Sequence, residues 1–447
     1  MPRSIKSYCA FLQRHRRAAA LVAVASSALL LSATSGWAAS GAAAEKKGPV
    51  RLLFTTPVPP APSNKTGGMY AFDISFVDQT SQQYFLGDRS NAAVDEVDAT
   101  NGNFIKQITA TPAFAGATGD NNTSGPNGVA TDGAGKCLFA GDGPSRVVSF
   151  KLPSGKQVGD VKTGGMFRAD EMAFDPKDRI LLVANNADSP PFGTLIKVSK
   201  NCNLTVGKRI NITSSTNGAE QPAWDPATQR FYMSIPSISG TTANPGPVGA
   251  IARINPLSAT IETMFAVPFC MPAGLALGPN GTFLAGCSVV YDTMGVPWFG
   301  ADTNSANAAQ VIIDTNGVFA FVPGVGSSDE VWYNAGDNHW YTGSQNSVYS
   351  AHPVAGTTGG LSSTDQGAGT LGVVDGTSQN LDQLVPTINV PAVKGVHVSG
   401  SSHSVAANAS NNLVFVPHPA NNAILGCLTG CIGVYGRKDI DLVGAND

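Results

Sequence analysis

The feature that most constrains this chain is a pattern repeated seven times along it. Each copy has a polar residue, an apolar strand alternating with period two and ending in Asp, Asn or Gly, a short turn, a second apolar strand, then a polar loop and a third strand. The copies begin at Asp73 (DISFVDQTSQQYFLGDRS), Asn127 (NGVATDGAGKCLFAGDG), Asp170 (DEMAFDPKDRILLVANNAD), Glu220 (EQPAWDPATQRFYMSIPS), Ala273 (AGLALGPNGTFLAGCS), Asp329 (DEVWYNAGDNHWYTGSQNS) and His403 (HSVAANASNNLVFVPHPANN). Their starts lie 54, 43, 50, 53, 56 and 74 residues apart, near the ~40–50 residues of a four-stranded propeller blade.

So small a sheet cannot cover both its faces, so the copies must pack side by side and protect one another's edges. The expected fold is all-β: a single β-propeller of seven blades. Leu52–Thr55 and Ile432–Tyr435 are expected to share one blade, so that pairing of the N- and C-terminal strands closes the ring. Six blades with a decorated insert is the alternative, because the interval before His403 is long and rich in Gly, Ser and Thr. Within it, residues 355–385 read as a surface loop. The composition agrees: only 13% of the 447 residues are charged, and 50 Gly with 29 Pro favour turn-rich β structure over collagen or charge-driven disorder.

Residues 1–38 read as a secretion signal. Arg3, Lys6, Arg14, Arg16 and Arg17 precede an apolar run from Ala18 to Leu31, and Gly36 and Ala38 suit a small-residue cleavage site. Residues 39–49 follow as a loose linker, 50–436 as the propeller and 437–447 as a tail. The run is shorter than the ~20 residues a membrane span needs, and no other stretch is long and apolar enough, so no span is expected once the signal is gone. The location expected is exported, either periplasmic or extracellular. The formal net charge is −3, and losing the basic leader makes the remainder more acidic. Nucleic acid is therefore not an expected partner. Six of the seven cysteines lie beyond the signal, an even number that favours disulfides in an exported chain. Cys270–Cys287 and Cys427–Cys431 are close enough to pair locally.

In a propeller the residue just before each innermost strand points at the mouth of the central channel. That column reads Asp73, Asn127, Asp170, Glu220, Ala273, Asp329 and His403, and the next position reads Ile74, Gly128, Glu171, Gln221, Gly274, Glu330 and Ser404. Carboxylates converging on one channel repel one another unless protons or a cation neutralise them. Oxygen-rich ligands suit a hard divalent ion, Ca²⁺ before Mg²⁺. The competing reading is that Asp and Asn here only brace turns through their own backbone. Asp88, Asp142, Asn185, Asn186 and His418, on the loop after the second strand, are expected to rim the same pocket. Trp298, in GVPWFG, is the candidate stacking surface for a ligand.

Glu220-Gln-Pro-Ala-Trp resembles the E-x-P-x-W element of the senescence-marker-protein/gluconolactonase family. Pro126-Asn127-Gly128 is similar to that family's N-G element. The regular copies, HSVAANASNNLVFVP above all, also resemble YVTN-type and lactonase-like propellers. The first resemblance implies a divalent ion in the channel, held by Glu220, Asn127, Asp170 and Asp329, and hydrolysis of a lactone or small ester. Asp329, or failing it Asp170, would take the proton from water, with His403 assisting proton transfer. Glu171, Glu330, Asp73, Asp142, Asn185, His418 and Trp298 would bind a small or sugar-derived substrate. The chain differs from that family in blade number and in the order of its ligands. The alternative is a non-catalytic propeller that binds a ligand or protein on the channel face, and a single-chain unit is expected in either case. No G-x-S-x-G nucleophile elbow and no phosphate-binding loop is present.

Overall fold

The computed structural model describes residues 48–296, 309–345 and 369–437. The signal at 1–38, Trp298 and most of the tail lie outside the described residues. Strands dominate, joined by turns and by two 3₁₀ turns at Asn121–Thr123 and Pro279–Gly281.

The first copy of the repeat shows how the pattern folds. Ser75–Asp78, Gln83–Asp88, Ala93–Asp98 and Phe104–Ile108 pair antiparallel in chain order. In the second strand Tyr84, Phe85 and Leu86 are all fully buried, because neighbouring sheets cover both of its faces. The outermost strand is only partly covered and alternates toward solvent. The aspartate that ends the innermost strand makes the turn. Asp78 Oδ1 accepts from the backbone N–H groups of Thr80 (2.9 Å) and Ser81 (2.8 Å); Asp175 repeats the arrangement, Asp225 does so with its two oxygens, and Asp375 does so at the end of a third strand. This is the local bonding that lets Asp hold a turn without a ligand.

Among the described residues five sheets have four strands, one has eight, and two small ribbons have two each. The eight-stranded sheet runs from Pro222–Asp225 to Phe319–Pro323. Its two halves meet where Val248 pairs in parallel with Cys270. Another sheet combines Ala406–Asn408, Leu413–His418 and Cys431–Gly436 with the N-terminal strand Arg51–Pro57, with Leu52 opposite Tyr435 and Thr56 opposite Ile432. That is the pairing expected from sequence. Each innermost strand lies against those before and after it in the chain, and Ala406–Asn408 lies against Ser75–Asp78. The result is an all-β stack of small antiparallel sheets of the β-propeller kind.

The core lies between sheets. Leu182 from one packs with Phe231 and Met233 from the next, all fully buried, and each such side chain stabilises the stack by about 1.5–3 kcal/mol. Cys270–Cys287 and Cys427–Cys431 are bonded as expected, and Cys137–Cys202 joins two successive sheets across 65 residues. Three disulfides accord with folding in an oxidising compartment. No helix among the described residues is long and apolar enough to cross a membrane.

The structure corrects one expectation. Part of 355–385 is not loop: Thr370–Asp375 and Leu381–Pro386 are strands, with Leu371 and Val373 fully buried. TLGVVD and LDQLVP carry their own alternation around an Asp375 turn. The Gly, Ser and Thr content just before them obscures it at the level of composition.

Candidate functional site

Backbone bonds confirm that four column residues are equivalent. The N–H groups of Asp73, Asn127, Asp170 and Glu220 donate to the carbonyls of Gly87, Gly141, Ala184 and Ser234, at 2.8, 2.8, 2.8 and 2.9 Å. Each acceptor lies fourteen residues beyond its donor. The innermost strand therefore aims these side chains alike, toward the axis around which the strands stand.

At this end a cavity of about 280 Å³ is bordered by Asp73, Arg89, Asn121, Asp329, Gln345 and His403. Arg89 pairs with Asp73 and bonds Asn121, and its Nε donates to Asn127 Oδ1 at 2.9 Å. Arg168 pairs with Asp170 at 2.7 Å, and its Nε donates to Asn186 Oδ1 at 3.2 Å. His403 stacks on Phe72 and places Nδ1 2.8 Å from the Ser401 carbonyl, which leaves Nε2 facing Asp73 Oδ1 at 3.8 Å. Asp329 accepts from Gln345 Nε2 at 3.1 Å.

The protonation pattern follows from burial opposed by these partners. Burial alone would raise the Asp73 carboxyl, but Arg89, with His403 and Arg168, holds it well below the usual carboxylate range. Burial raises Asp170 to about 7 against the pull of Arg168, and burial with the Asp170 charge pushes Glu220 to about 8. Asp329 is raised by burial. Burial would lower His403, but Asp73 and Asp329 raise it. The mouth therefore holds fixed charge at Asp73 and the arginines, beside groups that exchange protons near neutrality.

Sequence reasoning missed Arg89 and Arg168. Their only signal was position: each is a basic residue within the repeat, Arg89 next to Asp88, which was expected on the rim but is buried against Asn91, and Arg168 two places before Asp170. They supply the positive charge that the acidic column was expected to take from an ion. Asn127 is fully engaged, with Oδ1 on Arg89 and Nδ2 on the carbonyls of Ser124 and Ala169 at 3.0 and 3.1 Å. Among the described residues no group of three or more His, Cys, Asp or Glu side chains is arranged to hold a metal ion. As they stand, Asn127 and Asp170 fit guanidinium partners, not a divalent cation.

The remaining residues fall into two groups. Asp142, Asn185 and His418 do not border the mouth cavity. Asp142 accepts from Ala115 N–H (3.0 Å) and pairs with Arg146 (3.1 Å). Asn185 bonds Thr163 Oγ1 at 2.7 Å and Ser145 Oγ at 3.1 Å. His418 is fully buried between Ser402 Oγ (2.7 Å) and Tyr435 OH (3.0 Å), and burial pushes it down to about 3, so it stays neutral. Glu171 and Glu330 lie one residue deeper along their strands and border a different cavity. Beside Glu171 the packing is tight. At Gly128 any side chain would collide with the Asp170 carbonyl and the Glu171 Cα, which is the close approach glycine permits.

No protein-family model matches this sequence, and no curated protein matches it. Among solved structures, a chain of Kuenenia stuttgartiensis hydrazine synthase is similar, with a TM-score of 0.58 and 11% identity, covering 85% of this chain and 97% of that one. A likeness at that identity speaks to the fold alone, and it supports the β-propeller.

Proposed function

We propose that this chain is an exported, seven-bladed β-propeller that binds a small, hydroxyl-rich, sugar-derived ligand at the channel mouth. A count of seven is supported by reading the eight-stranded sheet as two blades, and closure of the ring by the pairing of Arg51–Pro57 with Cys431–Gly436. The disulfides support an oxidising compartment outside the cytoplasm. The observation that carries the ligand class is the cavity's wall. Carboxylates, a guanidinium, amides and hydroxyls line it together, among them Asp73, Arg89, Asn121, Gln345 and Ser401, beside the aromatic rings of Tyr70 and Phe72. Close by, Arg168 Nη1 and Asp170 Oδ1 are buried without hydrogen-bond partners. A mixture of donors and acceptors of nearly balanced charge matches a neutral polyol better than an anion or a cation.

A second reading, hydrolysis of a lactone or small ester at the same place, is favoured by one observation. Asp329 and His403 border the cavity together, and burial raises the Asp329 carboxyl toward the range where a general acid or base works. Relationship to the gluconolactonase-like or YVTN-type propellers belongs to this reading. Its metal-dependent form requires an ion to displace Arg89 from Asn127 and Arg168 from Asp170.

Titration calorimetry of the full chain with neutral sugars, sugar lactones and aldonates, beside elemental analysis, tests both. Binding of neutral sugars or lactones that Asp329→Asn weakens supports the first reading. Lactone turnover lost in His403→Gln, with binding kept, supports the second. If no neutral sugar or lactone binds, or only the aldonates do, the first reading fails, and if no lactone or ester is turned over, the second fails.

A further inference from the structure

Beyond the mouth, a separate cavity of about 390 Å³ lies along the innermost strands and is bordered by Glu171, Glu330, Phe76, Trp224 and Trp332. The aromatic side chains are half-buried, while Glu171 and Glu330 are 3% and 0% exposed. Both glutamates carry an oxygen with no hydrogen-bond partner, Glu171 Oε2 and Glu330 Oε1.

Glu330 is held in an instructive way. Its Oε2 accepts from the backbone N–H groups of Val405 (2.9 Å) and Ser75 (3.2 Å), from Ser75 Oγ (3.2 Å) and from Ser404 Oγ. Four donors on one oxygen favour a carboxylate over a neutral acid, but burial outweighs them and raises Glu330 to about 8, so a cation bound here takes the place of a proton. The other oxygen is left facing a cost, because a buried acceptor without a donor loses its hydration and gains nothing in return. No Lys, Arg or His among the described residues borders this cavity. Its third carboxylate, Asp132, accepts on Oδ1 from the N–H groups of Ala134, Lys136 and Cys137, and its Oδ2, without a hydrogen bond, has the Arg179 guanidinium at 3.6 Å to balance its charge. The missing partner is thus a cation with protons to donate. Aromatic faces also attract cations. Apolar walls exclude a bare metal ion, which would need a shell of oxygens.

We propose that this second cavity binds a small organic cation, a primary ammonium ion on an apolar or aromatic body. The ammonium group donates to the free oxygens of Glu330 and Glu171, and the body lies among Phe76, Trp224 and Trp332. The site is a cavity separate from the mouth, and the proposal does not rest on the function proposed there.

The test is titration of the full chain with phenethylamine, phenethyl alcohol and 3-phenylpropionate, followed by calorimetry and by tryptophan fluorescence. The three share a ring and differ in charge. One amine per chain should bind, about tenfold or more tighter than the alcohol, with no binding of the carboxylate. Glu330→Gln keeps an oxygen for the four donors and sets an amide NH₂ where the free oxygen stood, so it should weaken the amine by about tenfold or more. Should that variant fail to fold, Glu171→Gln decides, with the same loss expected. Absence of amine binding, equal affinity for the alcohol, or undiminished affinity in the folded deciding variant overturns the proposal.

Discussion

Replacing Arg89 with methionine, which keeps much of the side chain's length and removes its charge, is expected to destabilise the fold by about 3–5 kcal/mol at neutral pH. The magnitude comes from what is left behind. Arg89 and Asp73 are 6% and 7% exposed, so neither is replaced readily by bulk water. Without Arg89, Asp73 keeps His403, at 3.8 Å, and the weaker pull of Arg168, and Asn127 and Asn121 each lose a charge-assisted bond. Water in the mouth cavity can re-pair part of this, which favours the lower end of the range. Urea denaturation of the wild type, Arg89→Met, Asp73→Asn and the double variant measures it. The double variant should cost less than the two singles summed, because Asp73→Asn removes the charge that Arg89→Met strands. The pH dependence supplies an independent check. Asp73 is depressed in the folded wild type, so its contribution is present above the unfolded carboxylate value of about 4 and declines as pH falls below it. In Arg89→Met, burial is no longer opposed by that guanidinium, so protonation relieves the variant as pH falls. The stability gap between the two should therefore narrow from pH 7 to pH 3. A gap under about 1 kcal/mol at pH 7, or one unchanged at pH 3, would refute the argument that Arg89 neutralises the column.

Further outcomes follow from the remaining buried groups. Removing the disulfides singly should destabilise in the order of the loops they close: about 4, 3 and 2 kcal/mol on the chain-entropy scale for Cys137–Cys202, Cys270–Cys287 and Cys427–Cys431, separated by 65, 17 and 4 residues. Serine pairs compared by guanidinium denaturation check the ranking. Asp88 and Asp95 form a buried acidic pair. Burial raises Asp88 to about 6 and, with the Asp88 charge, raises Asp95 well above the usual range. The folded state thus binds more protons than the unfolded one above pH 4, and stability from this pair falls as pH rises from about 4 through 6. Asp95→Asn should flatten that slope and melt at a higher temperature than wild type at pH 7.5, as calorimetric scans at pH 5 and 7.5 would record.

Local patterns made much of the fold legible. The alternation in DISFVD and DEMAFD, and the aspartate that ends each, specify a strand and its turn through contacts within a few residues, and Asp78 and Asp175 bond the turn amides as such a pattern requires. The same logic failed over 370–386, where composition outweighed a short alternation. It located the column at Asp73, Asn127, Asp170 and Glu220 because equivalent steps of equivalent strands face one axis. It did not find Arg89 or Arg168, because neither stands in the column and each reaches its carboxylate from outside the innermost strand.

What the chain's sequence determined by itself is therefore the repeated unit, the pairing of Arg51–Pro57 with Cys431–Gly436, and which positions face inward. Period-two burial and turn chemistry are properties of neighbouring residues. Only the tertiary structure decided what those inward positions meet. Glu330 bonds Ser75, 255 residues away, and Asn127 meets the guanidinium of Arg89, 38 residues before it. Whether an acidic column is balanced by arginines, protons or an ion is a matter of distances across the axis, and those distances exist only once the sheets have packed.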